Sequence, residues 1–225
     1  MVAAMAMAAA PKSSAQVAEW NVTGHGLPFD VSLPASNSDV NLASVPALTR
    51  GGGLLGSSAA NSFSSTNWNI FPVMNVSSNY LTFTVTPASG FQLNLTSLRF
   101  IMCGSNTAPE QDAWGYSTDG GSTWTIQPTF FMTLTYTTNT WDFADFSSSS
   151  AVEFRFWEWG SVAINGGPSS KAGTARIAQD LSNNSNPSLV LNGTVTTIPE
   201  PSTLILIGFS IAGILAFSRR RFTRG

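Results

Sequence analysis

Hydrophobic and polar residues alternate with period two along most of this 225-residue chain, and the alternation stops at its C-terminal tail. In residues 80–86, Leu81, Phe83 and Val85 fall on one face and threonines on the other. Leu98, Phe100 and Met102 repeat the period. So do Phe130, Met132, Leu134 and Tyr136, set against Thr133, Thr135 and Thr137. Residues 152–159 and 189–195 supply two further runs. Alternation enriched in Thr, Phe, Trp and Tyr predicts half-buried antiparallel strands. Ser/Asn/Gly-rich stretches at 147–150, 165–168 and 183–187 read as turns. Residues 24–66 read as loop-rich, with room for short edge strands, and no internal repeat is evident. No segment before the tail keeps a 3.6-residue apolar period. The predicted class is therefore all-β, an antiparallel β-sandwich or jelly roll in which each of two sheets buries one face against the other. Residues 19–196 are long enough for one such domain with its own core.

The tail follows a different rule. Residues 202–218 carry no charge and no proline over 17 positions. A helix of that length spans roughly 25 Å, the short end of what a transmembrane segment needs. It shows no polar stripe of the kind a surface helix carries. Pro201 suits a first helical turn, and Glu200 suits the positive end of the helix. Arg219, Arg220, Arg221 and Arg224 then form a basic stop over 219–224, four of the ten basic residues in the chain. Positive residues stay on the cytoplasmic side, so the predicted membrane helix leaves the C-terminus in the cytoplasm and the β-domain outside. At the other end, residues 1–10 are apolar and alanine-rich, with small residues at Ser13-Ser14-Ala15. We read residues 1–18 as an export signal, atypical in having Lys12 after the apolar run rather than before it.

Pro199-Glu200-Pro201-Ser202-Thr203, the apolar span and the arginine cluster stand in a fixed order. That order closely resembles the PEP-CTERM sorting signal of Gram-negative bacteria that make exopolysaccharide. The resemblance covers 198–221, with Ile198 where valine is commoner, and sets 197–225 apart as a sorting segment. It implies recognition at the inner membrane by exosortase, a membrane-embedded cysteine protease. It further implies cleavage near Pro199, Glu200 and Pro201, and delivery of the domain to the cell surface or extracellular matrix. The domain also resembles a jelly-roll module common among such proteins. The matching segments are Ala18-Glu19-Trp20, residues 48–68 and 91–100, Val152-Glu153-Phe154-Arg155-Phe156, Gly173-Thr174-Ala175-Arg176-Ile177 and Leu191-Asn192-Gly193-Thr194-Val195. The acidic pair which that family carries after Arg-Ile is not matched here. Ala178-Gln179 comes before Asp180, and residues 182–188 read as an insertion.

Composition narrows the chemistry. The predicted domain holds five basic residues against eleven acidic ones, a net charge of −6, which disfavours a nucleic-acid partner. Cys103 is the only cysteine and His25 the only histidine. An intramolecular disulfide, a multi-histidine metal site and a Cys–His zinc site are therefore excluded. No catalytic residue, cofactor or metal is expected. Ser117-x-Asp119-x-Gly121-x-Thr123-Trp124 fits the Asp-box pattern of sialidases and other β-propellers. It occurs once, which predicts a structural hairpin and not a propeller blade. The pairs Glu110/Asp112, Asp142/Asp145 and Glu153/Glu158 could serve glycosidase chemistry if their carboxyl groups converged, and otherwise read as solvated surface acids. Arg155, Trp157 and Trp159 share the strand face opposite Phe154 and Phe156. Exposed, they would form a platform for stacking on sugar rings. Covered by a loop such as 161–172, they would be core. Two functional readings follow: an exported, non-enzymatic surface or matrix protein, or a carbohydrate-binding module acting on exopolysaccharide. A glycan hydrolase is the third.

Overall fold

The structure is a computed structural model that describes residues 15–28, 30–183 and 185–198. Most of the predicted export signal, the 199–201 element, the predicted membrane helix and the basic stop lie outside the described residues. Among the described residues, no helix is long and apolar enough to cross a membrane.

The described residues form fifteen strands. The first seven are β1 (Gln16–Trp20), β2 (Ser32–Pro34), β3 (Asn37–Ser38), β4 (Ala47–Gly51), β5 (Leu55–Ser57), β6 (Ser62–Thr66) and β7 (Tyr80–Val85). The next four are β8 (Phe91–Gly104), β9 (Pro109–Ser117), β10 (Thr125–Ile126) and β11 (Phe130–Phe131). The last four are β12 (Thr137–Ser148), β13 (Val152–Ala163), β14 (Ala175–Ala178) and β15 (Leu189–Thr197). One sheet runs β3-β1-β15-β8-β14-β6-β5, with β12 also paired to β8; the other runs β10-β9-β13-β7-β4-β2, with β11 on β9. Every strand pairing is antiparallel.

In β7, β8 and β13 the predicted inward positions are buried. Leu81, Phe83 and Val85 of β7 and Phe154 and Phe156 of β13 meet Leu98, Phe100 and Met102 of β8 in one core. The Phe83 and Phe154 rings stack at 4.9 Å, while Phe156 meets Phe100 edge-on at 5.0 Å across the two sheets. Trp20 of β1 closes on Phe83 at 4.6 Å. Buried aromatic pairs of this kind each add about 0.5–1.5 kcal/mol beyond their area.

One break in the alternation is resolved by a bulge. Leu93 and Leu95 share the core with Leu98 and Phe100, which strict period two forbids. Ser97 opposes Asn192 while Leu95 opposes Gly193, so Thr96 is the extra residue that restores the parity. Gly193 is required there. Its φ is +150°, and a Cβ would lie 2.1 Å from the Asn94 carbonyl oxygen.

The structure corrects one predicted strand and refines the ends of the sandwich. Residues 130–136 are not one strand. Only Phe130–Phe131 pairs, with Gln111 and Asp112, and the long partner of β8 is Thr137–Ser148 instead. The Thr133 and Thr137 hydroxyls bond each other and both donate to the Thr135 carbonyl, which favours a local turn over a ladder. The boundary of the domain also moves. Val17 and Ala18 are buried, and Ala18 pairs with Leu191, so β1 begins at Gln16, inside the stretch read as an export signal. At the far end the ladder continues through Thr197, one residue beyond the predicted domain limit. Asp180 proves to be structural: it accepts from Arg99 Nη2 at 3.0 Å, from the Ser182 backbone N–H at 2.9 Å and from Asn186 Nδ2 at 3.1 Å. The Ser182 hydroxyl, which also donates to Oδ1, and Asn186, followed by the Ser182 N–H and Arg99, hold its carboxyl well below the usual range and shape the inserted segment.

Candidate functional site

The site predicted from sequence lies on the outer face of β13. Arg155, Trp157 and Trp159 do point away from Phe154 and Phe156, but they are not a platform, because Trp157 is 1% exposed and Trp159 6%. The cover is not the 161–172 segment. That segment turns back on itself, with Ala163 N–H donating to the Gly167 carbonyl at 2.8 Å and Val162 bridging Pro168. The cover is the connection between β6 and β7. The indole N–H of Trp157 donates to the Val76 carbonyl at 3.2 Å, and Gly160 N–H to the Asn69 carbonyl at 3.1 Å. Met74, Val76, Tyr80 and Trp124 pack against Ala113, Trp157 and Trp159.

Arg155 clamps this cover. Its guanidinium carbon lies 3.7 Å from the Tyr80 ring centre and 4.4 Å from that of Trp124. Its Nη1 donates to the same Val76 carbonyl at 3.0 Å, and its Nε to Glu153 Oε1 at 2.7 Å. The Nε and Nη1 edges of the group that would have held a sugar are thus engaged by the protein, and two aromatic rings cover its faces. The sequence signal for this cover is weak: Met74 and Val76 are apolar residues in a stretch that otherwise reads as loop.

The Asp-box-like element is the hairpin that supplies Trp124. Ser117 Oγ donates to Asp119 Oδ1 at 2.7 Å and accepts from Gly121 N–H at 2.8 Å. Asp119 accepts from the Thr123 backbone N–H at 2.9 Å and from its hydroxyl at 2.7 Å, while Trp124 Nε1 donates to the Gly121 carbonyl at 3.1 Å. Gly121 takes φ +87°, which the turn requires. The Thr123 backbone N–H, with the Thr123 and Ser117 hydroxyls, lowers the Asp119 carboxyl to about 2. Ser117, Asp119, Gly121 and Thr123 act on the hairpin itself, which aims Trp124 at Trp157 and Arg155.

The carboxylates regroup in space. Glu153 is held by Arg155 and Thr82, and Asp142 and Asp145 line a groove on the other sheet. Asp112 and Glu158, drawn from two different sequence pairs, stand directly opposite each other on β9 and β13. Both are 1% exposed, on the inner face that carries Trp114 and Phe156, and none of their four carboxyl oxygens has a hydrogen-bond partner. Burial pushes both groups up, and the neighbouring charges of Asp112 and Cys103 push Glu158 further. Sequence spacing could not reveal this pair, because their opposition is set by strand register alone.

The described residues also form open grooves. One, of about 890 Å³, crosses the β8, β12 and β15 region and is lined by Asn94, Thr140, Asp142, Phe146 and Thr194 among others. Another, of about 620 Å³, follows the cover itself, with Asn69, Phe71, Val73, Asn75 and Lys171 on its walls. Phe71 is 66% exposed there. His25 lies elsewhere, in a loop, with its Nδ1 3.9 Å from Asp30.

Beyond the last strand, residues 197–221 match the PEP-CTERM protein-sorting motif. The chain carries a PEP-CTERM sorting signal. Among solved structures, this PEP-CTERM chain is similar to a variant of the carbohydrate-binding module CBM29-2 complexed with mannohexaose. The identity is 12% and the TM-score 0.38, over 80% of this chain and 92% of that one. A second CBM29-2 variant gives 13% identity and a TM-score of 0.35, over 72% and 89%. The C-terminal domain of a chitobiase from Bacteroides fragilis gives 12% and 0.24, over 53% and 66%. Similarity at this level says nothing about a ligand. No curated protein sequence matches the PEP-CTERM chain.

Proposed function

We propose that this chain is an exported, non-enzymatic protein of the cell surface or extracellular matrix, held at the inner membrane by its tail until exosortase processes it. The observation that supports this reading is the sorting motif at 197–221, which begins where β15 ends. A span of 17 uncharged residues suits a temporary hold. The folded domain is then cargo, and its buried aromatic residues serve its stability. Deleting residues 198–225 and fractionating the cells tests the reading. The truncated chain is expected in the periplasm or medium and no longer at the membrane or cell surface. Unchanged surface display without those residues would refute it.

A second reading rests on one observation, the exposed Phe71 in an asparagine-rich groove. An exposed ring beside amide groups can stack on a sugar face while the amides bond hydroxyls. On this reading the cargo binds exopolysaccharide. Calorimetry with exopolysaccharide fragments should show binding that Phe71→Ala abolishes. Binding that survives this change moves the site elsewhere. The Arg155, Trp157 and Trp159 face is not part of this reading, because it is covered.

A further inference from the structure

The join between domain and tail has almost no slack. Thr196 pairs with Gln92 and Thr197 with Phe91, and the N–H of Ile198 still donates to the Gly90 carbonyl at 2.8 Å. The predicted span starts at 202, so only Pro199, Glu200 and Pro201 lie between them. Three residues reach about 10 Å at most. The last four residues of β15, Thr194 to Thr197, pair with Asn94 to Phe91 of β8, so the strand end cannot swing outward without losing those ladder bonds. Whichever end of the sandwich carries Ile198 must therefore sit within about 10 Å of the start of the span.

That end has a distinct surface. Ala43 N–H donates to the Thr86 carbonyl and Ala88 N–H to the Asn41 carbonyl, each at 2.8 Å, so residues 39–45 lie against the 86–90 turn that also holds Ile198. Val40 is 93% exposed, Val45 60% and Ile198 40%. Scattered exposed valines need no explanation, but these gather at the tethered end. Asp39 is the one charged residue in 39–45, 86–90 and 197–198, and its Oδ1 is engaged by the Asn41 N–H at 2.8 Å. The domain as a whole is acidic and is repelled by anionic headgroups; this end, with a single carboxylate, is repelled least.

We propose that the end formed by residues 39–45, 86–90 and Ile198 rests on the lipid surface of the membrane that holds the tail. The seat is made by the short tether together with Val40, Val45 and Ile198. It rests on the sorting reading above and adds an orientation to it. The 199–201 element is then presented at headgroup depth, where a membrane-embedded protease reaches it without opening the sandwich.

The test uses the full chain in vesicles of phosphatidylethanolamine and phosphatidylglycerol carrying brominated acyl chains. A polarity-sensitive fluorophore is placed on Val45→Cys or, at the opposite end of β13, on Val162→Cys; native Cys103 is buried. We expect strong bromolipid quenching at 45 and little at 162. Val40→Asp in the 45-labelled chain should weaken the quenching without releasing the protein from the vesicles. If the chain floats with the vesicles but the label at 45 is unquenched, the seat is wrong and the anchor stands. A label shielded by a protein neighbour or a second copy gives that same unquenched result. Equal quenching at 45 and 162 also overturns the orientation. If the chain does not float with the vesicles at all, the anchor reading itself fails, and the seat with it.

Discussion

Trp157→Ala is expected to lower the stability of the domain by about 3–5 kcal/mol, the usual cost of deleting a buried aromatic residue. The ring is 1% exposed and packs edge-on against Trp124 at 5.1 Å. Its loss opens a cavity beneath the cover and removes the indole bond to the Val76 carbonyl. Arg155 donates to that same carbonyl, so the segment around Val76 should loosen together with the cavity. The check is a urea melt, with hydrogen exchange of residues 69–79 as a second readout. Phe71→Ala, on the exposed side of the same segment, should change stability by no more than about 0.5 kcal/mol. Equal midpoints for Trp157→Ala and the wild type would show that the cover does not depend on the indole.

The second large effect is a pH dependence of unusual sign. Asp112 and Glu158 are both raised, from ordinary values of 3.8 and 4.5 in the unfolded chain. Below those values the two groups are protonated in both states, and the folded domain bears no ionisation cost. As pH rises, the unfolded chain releases its protons first while the folded pair retains them. Stability therefore falls through the window between the unfolded and folded values, by up to about 1.4 kcal/mol per pH unit for each proton retained. Most domains lose stability on the acid side through paired carboxylates, and Asp119 and Asp180 act that way here. Both are depressed, and their contribution is lost as pH falls below 3.8. The domain should thus be most stable in mildly acid solution and weaker at pH 8. Changing Asp112→Asn and Glu158→Gln together removes the charges and leaves two amides that can bond each other. The double variant should be more stable than wild type at pH 8 and nearly flat from pH 5 to 8 in denaturant titrations. A parallel slope in both proteins would refute the assignment.

Particular residues show which parts of this molecule can be read directly from the chain. Leu81, Phe83 and Val85 announce their strand and its buried face, because a side-chain period of two is a local property. The Asp119 hairpin is equally local, since all of its bonds fall within eight residues of sequence, Ser117 to Trp124. Phe130 to Tyr136 misleads for the same reason: alternation shows that a strand can form, and only an available partner edge decides whether it does.

By itself, then, the sequence determined the all-β class, the inward faces of the main strands, the structural role of the hairpin and the sorting signal at the C-terminus. Each is encoded in contiguous residues. Only the tertiary structure decided that Trp157 and Trp159 lie under a cover, that Asp112 faces Glu158, and that the ladder runs to the edge of the sorting signal. These depend on register and on which distant segment folds over which face, and both are set by packing across the whole sandwich.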